Sequence, residues 1–347
     1  MRAAVFQEFG GNVGLETVAD PACPGDGVVV AVKANGVCRS DWHGWMGHDP
    51  AIRLPHVPGH ELAGVVVEVG PECRQWQVGQ RVTAPFVLAC GRCVVCRDGQ
   101  HQICLDQAQP GFTAWGAFAD YVAVPRADTN LIALPEEMDF AAAASLGCRF
   151  TTAFRAVVER GRLRAGEWLA VHGCGGVGLS AVMIGVAAGA NVVAVDINPE
   201  ALATARALGA GVTIDARAEA DVAAAIASAS GGGAQVSVDA LGHRETCRNS
   251  ILCLRPQGRH VQAGLLEGAQ ADPPLPMGAV IGRELEILGT HGMAAHRFPQ
   301  LFEMIRGGKL SPERLIGRRI PLEAAPAALM GMAETREVGL TVIDFEL

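Results

Sequence analysis

At 347 residues the chain is longer than one ordinary core encloses, and about two domains are expected. Half of the residues are hydrophobic and 18% are charged, a globular balance, while 43 glycines mark a turn-rich chain with close backbone approaches. A formal charge of −8 with no basic run excludes general nucleic-acid affinity, and the lack of eighteen uninterrupted apolar residues excludes a membrane span.

The N-terminal MRAAVFQEFGG has neither the continuous apolar stretch nor the cleavage site of a secretory leader, so a cytoplasmic protein is expected. In that reducing compartment the eleven cysteines should be free thiols or metal ligands. From about residue 1 to 150, short apolar runs such as GVVVAVKANGV and ELAGVVVEVG are cut by Gly and Pro, which predicts a β-rich, barrel-like domain. Within it, GVCRSDWHGW (36–45) carries Cys38 and HVPGHELAGVVVEVG (56–70) carries His60 and Glu61; ASLGCRF, further on, carries Cys148. Cys38, His60 and Cys148 form a mixed S/N/S set that leaves the fourth tetrahedral position of a zinc ion open, the arrangement of a catalytic site. Two thiolates and a neutral imidazole cancel the ion's charge without abolishing its effect on an oxygen ligand. Taken singly, a buried Cys or His is more often packing than ligand.

Between these segments, CGRCVVCRDGQHQIC places Cys90, Cys93, Cys96 and Cys104 at C-x2-C-x2-C-x7-C spacing. Four thiolates satisfy tetrahedral zinc completely, which makes the site structural. Free loop thiols at this density would be an oxidation liability, and an iron–sulfur cluster is a rival that spacing alone leaves open.

From about residue 151 the texture changes. Ala-rich helical stretches alternate with EWLAVHG, ANVVAVD, GVTID, QVSVDAL, GRHVQAGL and ELEILGT, an alternation that implies a parallel sheet with crossover helices. WLAVHGCGGVGLSAVMIGVAAGANVVAVDINPE (168–200) reads as strand, Gly173-x-Gly175-x-x-Gly178, helix and strand, then Asp196. The glycines allow a tight turn and close backbone approach, the helix N-terminus faces a pyrophosphate, and Asp196 accepts bonds from ribose hydroxyls. Asp196 would repel a 2′-phosphate and no Arg directly follows it, so NAD is favoured over NADP. ADVAAAIASASGGGAQ reads as a helix running into a Gly turn, RFPQLFEMIRGGKL as a helix, and GLTVIDFEL as a closing strand.

With these motifs in hand, the chain resembles the zinc-dependent medium-chain alcohol dehydrogenases over essentially its whole length. The resemblance rests on CRSDWH, GHE, the four-cysteine lobe, GCGGVG and DINPEAL. It implies an α/β protein: a GroES-like β-barrel catalytic domain (1–150 and 290–347, with a structural zinc lobe at about 90–104) interrupted by an NAD-binding Rossmann domain (151–289), a doubly wound parallel sheet, with catalytic zinc in the cleft between them. It makes Cys38, His60 and Cys148 the ligands of that zinc, one of two zinc ions per chain. Glu61 becomes an outer neighbour or transient ligand, and Asp41 the orienting partner of His60. Gly176 and Val177 complete the cofactor loop, Arg39 matches a pyrophosphate contact and Thr152 a nicotinamide-side contact. In such enzymes zinc polarises an alcohol oxygen, the proton leaves, and hydride passes to nicotinamide. Ser40 would take the proton and pass it, through the cofactor ribose, to His43 and solvent.

Two positions depart from the family pattern. Gly339-Leu340-Thr341 stands where many relatives have GRV, removing one expected cofactor phosphate contact, and Ala201 stands where some place a Lys near the adenosine ribose. Cys148 resembles alcohol dehydrogenases more than sugar-alcohol relatives, which commonly carry Glu there. Phe86, with Trp42, Trp45 and Trp115, are candidates for an apolar substrate pocket. Rival readings are a polyol or formaldehyde-type dehydrogenase of the same superfamily, and a non-catalytic NAD-binding zinc sensor. The expected partners are a small alcohol, aldehyde or ketone and further copies of the chain, a tetramer rather than a dimer, with ELEILGT pairing across a two-fold axis.

Overall fold

A computed structural model describes residues 1–334 and 338–347. Its contacts divide the chain into two units: Met1–Cys148 with Gly292–Ile305 and Ser311–Leu347, and Arg149–His291 with Arg306–Leu310.

The first unit opens on an antiparallel ribbon of β1 (Arg2–Phe6) and β2 (Val13–Thr17). The long strand β3 (Val28–Val37), rich in β-branched residues, then pairs antiparallel with β4 (Leu62–Val69) and β6 (Tyr121–Val124). β5 (Arg81–Thr83) and β7 (Ile132–Ala133) extend the sheet beyond β4. The β3–β4 register shifts between Val29 and Val30 and again between Val32 and Ala34. Such bulges bend a strand and raise its twist, as a barrel wall requires. Val28, Val30, Val66, Val82 and Val124 are fully buried behind this wall. Helix α1 (Arg39–Trp45) leaves the end of β3, its first turn secured by the Asp41 carboxylate, which accepts the Cys38 N–H at 2.9 Å.

The second unit is a parallel six-stranded sheet: β8 (Trp168–His172), β9 (Asn191–Asp196), β10 (Val212–Asp215), β11 (Ala234–Asp239), β12 (Leu254–Gln262) and β13 (Glu286–Gly289). The spatial order is β10-β9-β8-β11-β12-β13. That is the Rossmann order, which reverses between β8 and β11 and so opens a crevice at the carboxyl ends of the strands. Leu169–Val171 and Val192–Val195 are buried throughout, as strands covered on both faces must be. Helix α2 (Gly176–Ala187) is apolar on every side and packs on the sheet.

The chain then returns to the first unit with β14 (Ile316–Ile320) and β15 (Leu340–Asp344), the latter antiparallel to β3. The completed sheet runs β14-β15-β3-β4-β5-β7, with β6 also on β3. Among the described residues no helix is long and apolar enough to cross a membrane.

Candidate active site

The first unit gathers three donor side chains that are far apart in sequence. Cys38 ends β3 and begins α1, His60 precedes β4, and Cys148 lies in a π-helical turn over Leu146–Phe150. Their ligand atoms all fall within 4.8 Å of one another. Gly147 permits the approach: a Cβ there would stand 2.9 Å from the Glu61 Cα, so a larger residue would push the Cys148 turn away. A single π turn inside a helix is often found at functional sites, because the extra residue re-aims one side chain.

Asp41 organises the cluster. Fully buried, it accepts the Cys38 N–H on Oδ2 and the Gly59 N–H on Oδ1 at 3.0 Å, and its Oδ1 lies 2.8 Å from His60 Nδ1. Burial disfavours a charged His60, but the Asp41 carboxylate and its hydrogen bond outweigh burial and raise the imidazole pKa well above its ordinary value. The same bond holds a proton on Nδ1 and leaves Nε2, which is buried without a hydrogen-bond partner. A buried imidazole nitrogen with no partner is costly, and a metal ion is the partner this donor set fits. Two sulfurs and this nitrogen therefore suit zinc with one position free. Phe112 (5.2 Å between ring centroids) and Phe86 (6.1 Å) flank His60. Glu61 is fully buried beside them.

Ser40 and His43 lie three residues apart on α1, and the Ser40 Oγ is 3.8 Å from the Cys38 Sγ. Arg39, on the same helix, is exposed and stacks its guanidinium 5.3 Å from the Trp42 ring. The aromatic candidates separate. Phe86 stands at the cluster, whereas Trp45 is buried in the core with its Nε1–H on the Gly11 carbonyl at 2.9 Å. Trp42 packs against that core, and Trp115 is half-exposed with its Nε1–H on the Pro55 carbonyl. Phe112 was not readable from sequence, since it sits in a loop with no periodic signal; neither was His48, whose Nδ1 lies 2.9 Å from His43 Nδ1.

The four lobe cysteines also converge within 4.8 Å. The Cys93–Cys96, Cys93–Cys104 and Cys90–Cys96 sulfurs are 3.4, 3.8 and 4.0 Å apart. Four sulfurs at about 2.3 Å from a central zinc would be separated by about 3.8 Å, so the cage has the size of the ion. Backbone N–H groups of Cys90, Arg92, Cys93 and Asp106 point at the sulfurs of Cys104, Cys90, Cys90 and Cys104. Such bonds stabilise thiolate: backbone donors, that of Leu105 foremost, bring the Cys93 pKa down to about 6, while burial pushes Cys96 up to about 12. A metal that takes Cys96 as a ligand has to displace that proton.

In the second unit the glycine loop joins β8 to α2. Gly173 has φ +88, and a Cβ on Gly178 would lie 1.7 Å from the Gly173 carbonyl oxygen, so neither position accepts a side chain. At Gly175, Cβ would meet nothing within 4 Å, and Gly175 caps α2 without a side-chain bond. Open space over uncapped helical amides suits a pyrophosphate; Gly176 and Val177 form the first turn of that helix. Asp196, at the end of β9, accepts the Cys174 N–H at 2.6 Å and the Asn198 N–H at 2.8 Å. It thus ties the loop to the next strand, an anchoring role that the sequence pattern does not reveal. Arg217 is committed to Asp215. Thr152 is buried in the helix Thr151–Phe154 of this unit. The two family departures, Ala201 and Leu340, are both buried, which explains apolar residues there.

An alcohol dehydrogenase GroES-like domain model matches residues 24–136, and a zinc-binding dehydrogenase model matches residues 176–307. The chain is 38% identical to an alcohol dehydrogenase of Geobacillus stearothermophilus over 58% of its own length and 60% of that protein's, so it aligns with less than two thirds of this relative. It is 30% identical to a protein named NAD-dependent alcohol dehydrogenase of Sulfurisphaera tokodaii, over 99% of both chains. The solved alcohol dehydrogenase of Thermus sp. ATN1 superposes with a TM-score of 0.90 at 30% identity, again over 99% of both.

Proposed function

Given that this chain belongs to the zinc-dependent medium-chain alcohol dehydrogenase family, we propose that it interconverts an alcohol and its aldehyde or ketone with NAD. The observation that carries this reading is the convergence of the His60 imidazole, its Nε2 buried without a hydrogen bond, with the sulfurs of Cys38 and Cys148 within 4.8 Å. When bound, zinc at that cluster supplies Lewis acidity toward an alcohol oxygen, and NAD on the glycine loop supplies the hydride acceptor.

The chain's own residues then have distinct tasks. Asp41 fixes the His60 tautomer and ring orientation. Phe86 and Phe112, both buried against the His60 ring, keep water from it, which strengthens the charge interactions there. Ser40 takes the alcohol proton at Oγ and His43 carries it outward as a general base. Gly173, Gly175 and Gly178 keep the phosphate cradle open, and Asp196 selects a ribose without 2′-phosphate. Arg39 and Thr152 contact the cofactor, and Glu61 stands behind the metal ligands. Two zinc ions per chain follow from two separate donor sets. The apolar character of Phe86 and Phe112 favours simple or aromatic alcohols over polyols, and a non-catalytic sensor would have no use for Ser40 and His43.

The cytoplasm is the compartment we assign, since eleven cysteines, four of them gathered in one lobe, suit a reducing environment. We assign a homo-oligomer, a tetramer before a dimer. β13 is an edge strand whose Glu286, Ile287 and Gly289 are exposed, and pairing it with its copy would satisfy open backbone groups. Light scattering should give a multiple of the 36.1 kDa chain, and a monomer mass would defeat the assignment.

The test of the activity is NADH formation across a panel of alcohols and polyols, with zinc quantified on the same sample. The expected result is turnover of simple alcohols by protein carrying two zinc per chain. Turnover of polyols alone would transfer the assignment to the polyol class, and zinc-loaded protein without turnover of either would leave the sensor.

A further inference from the structure

We propose that His48 is the outer station of the proton path, receiving from His43 the proton that the relay reading above brings from Ser40. The proposal rests on that reading and adds a residue to it.

The local fold brings the two rings together. α1 ends at Trp45, and the chain reverses through Gly47 at φ +79, where a Cβ would press on the Phe9 ring at 3.0 Å. The His48 N–H then donates to the His43 carbonyl at 3.0 Å, folding the turn back along the helix. The rings meet at 5.3 Å between centroids with their Nδ1 atoms 2.9 Å apart, and Trp42 stands edge-on to both, at 5.1 and 6.0 Å. His43 is half-buried and His48 is exposed, so the pair leads from the interior of the unit to water. The charged groups on the same turn are Arg39, stacked on Trp42, and Asp49, whose carboxylate accepts the Ala51 N–H.

Two imidazoles joined through Nδ1 need one ring with its proton on Nδ1 and the other with a lone pair there. A proton reaching His43 at Nε2 makes an imidazolium, which releases its Nδ1 proton to the lone pair of His48 Nδ1. His48 then gives its Nε2 proton to water or a buffer base. One proton enters and one leaves, and exchange of nitrogen-bound protons with water restores the starting tautomers.

The experiment compares zinc- and NAD-loaded wild type, His43→Gln, His48→Gln and the double variant in dilute buffer, with and without added imidazole. His48→Gln should lower kcat for alcohol oxidation roughly fivefold with KM unchanged, imidazole should restore it, and the double variant should be no slower than His43→Gln. Nitrogen-15 NMR of the resting protein should show one of the two rings protonated on Nδ1. A His48→Gln enzyme at wild-type rate beside a slow His43→Gln would overturn the proposal, as would a slow His48→Gln that imidazole fails to rescue. Two rings both protonated only on Nε2 would overturn it without any variant. A His43→Gln enzyme at full rate would instead remove the relay reading beneath it.

Discussion

The residues that the sequence marked most clearly are those whose chemistry is local. Gly173, Gly175 and Gly178 belong to one turn: a Gly178 Cβ would stand 1.7 Å from the Gly173 oxygen, Gly173 itself has φ +88, and the space over Gly175 is open. We expect Gly178→Ala to abolish measurable NAD binding while zinc content stays at the wild-type level; calorimetric titration beside metal analysis checks this, and unchanged NAD affinity would refute it. For Asp196 the sequence suggests a ribose partner and does not reveal its bonds to the Cys174 and Asn198 N–H groups, because a side chain that anchors its own backbone looks the same in sequence as one that faces a ligand. The expectation for Asp196→Gly is accordingly double. The preference for NAD over NADP should narrow, and affinity for both should fall roughly tenfold as two charge-assisted bonds that shape the loop are lost. Binding titrations with the two cofactors decide it: a narrowed preference at undiminished NAD affinity would show that the anchoring bonds do not matter.

At the scale of elements, spacing reveals a cluster of donor side chains when they share one loop and shows it poorly when they do not. Cys90, Cys93, Cys96 and Cys104 lie within fifteen residues, so the lobe could be read directly. Cys38 and Cys148 are separated by most of the first unit. They meet because β3 hands the chain to α1 while the helix Phe140–Ser145 packs on β3 and carries the π turn that follows it. No pattern along the chain encodes that π turn, nor the seating of Phe112 against His60. The strands of the second unit were legible for the opposite reason, since continuous β-branched runs bounded by glycine are what a twice-covered parallel strand requires. For the lobe, the expectation is that Cys104→Ser lowers the zinc content toward one ion per chain and the thermal midpoint by several degrees before it lowers the rate per folded enzyme. Metal analysis and calorimetry on the same preparation test it; two zinc ions retained with wild-type stability would mean that Cys104 is not a ligand.

At the scale of the molecule, titration of buried groups limits the pH range in which the fold is stable; burial lowers the pKa of His56 in the first unit, and the largest downward shifts among the histidines lie in the second. His172 is fully buried at the end of β8, with Nε2 3.6 Å from the Cys253 Sγ, and His260 is buried on β12, bonded to Ser250 and Gln262. Burial brings the His172 pKa down to about 3, with the nearby His260 adding to the effect, and burial likewise brings His260 down to about 4. In the unfolded chain both return to about 6.5. Below that value the unfolded state binds protons that the folded state refuses, so stability is complete above about pH 7 and falls as the pH drops toward 4. At pH 5.5 each histidine costs about 1.4 kcal/mol, roughly 3 kcal/mol for the pair. Zinc loss at low pH would add its own slope, so the test is comparative: urea unfolding of wild type and His172→Asn at pH 7.5 and pH 5.5. The variant should lose about 1.4 kcal/mol less than wild type between the two conditions, whatever its stability at pH 7.5. Identical losses would mean that His172 takes up no proton on unfolding in this range, and the acid sensitivity of the second unit would then have to come from elsewhere.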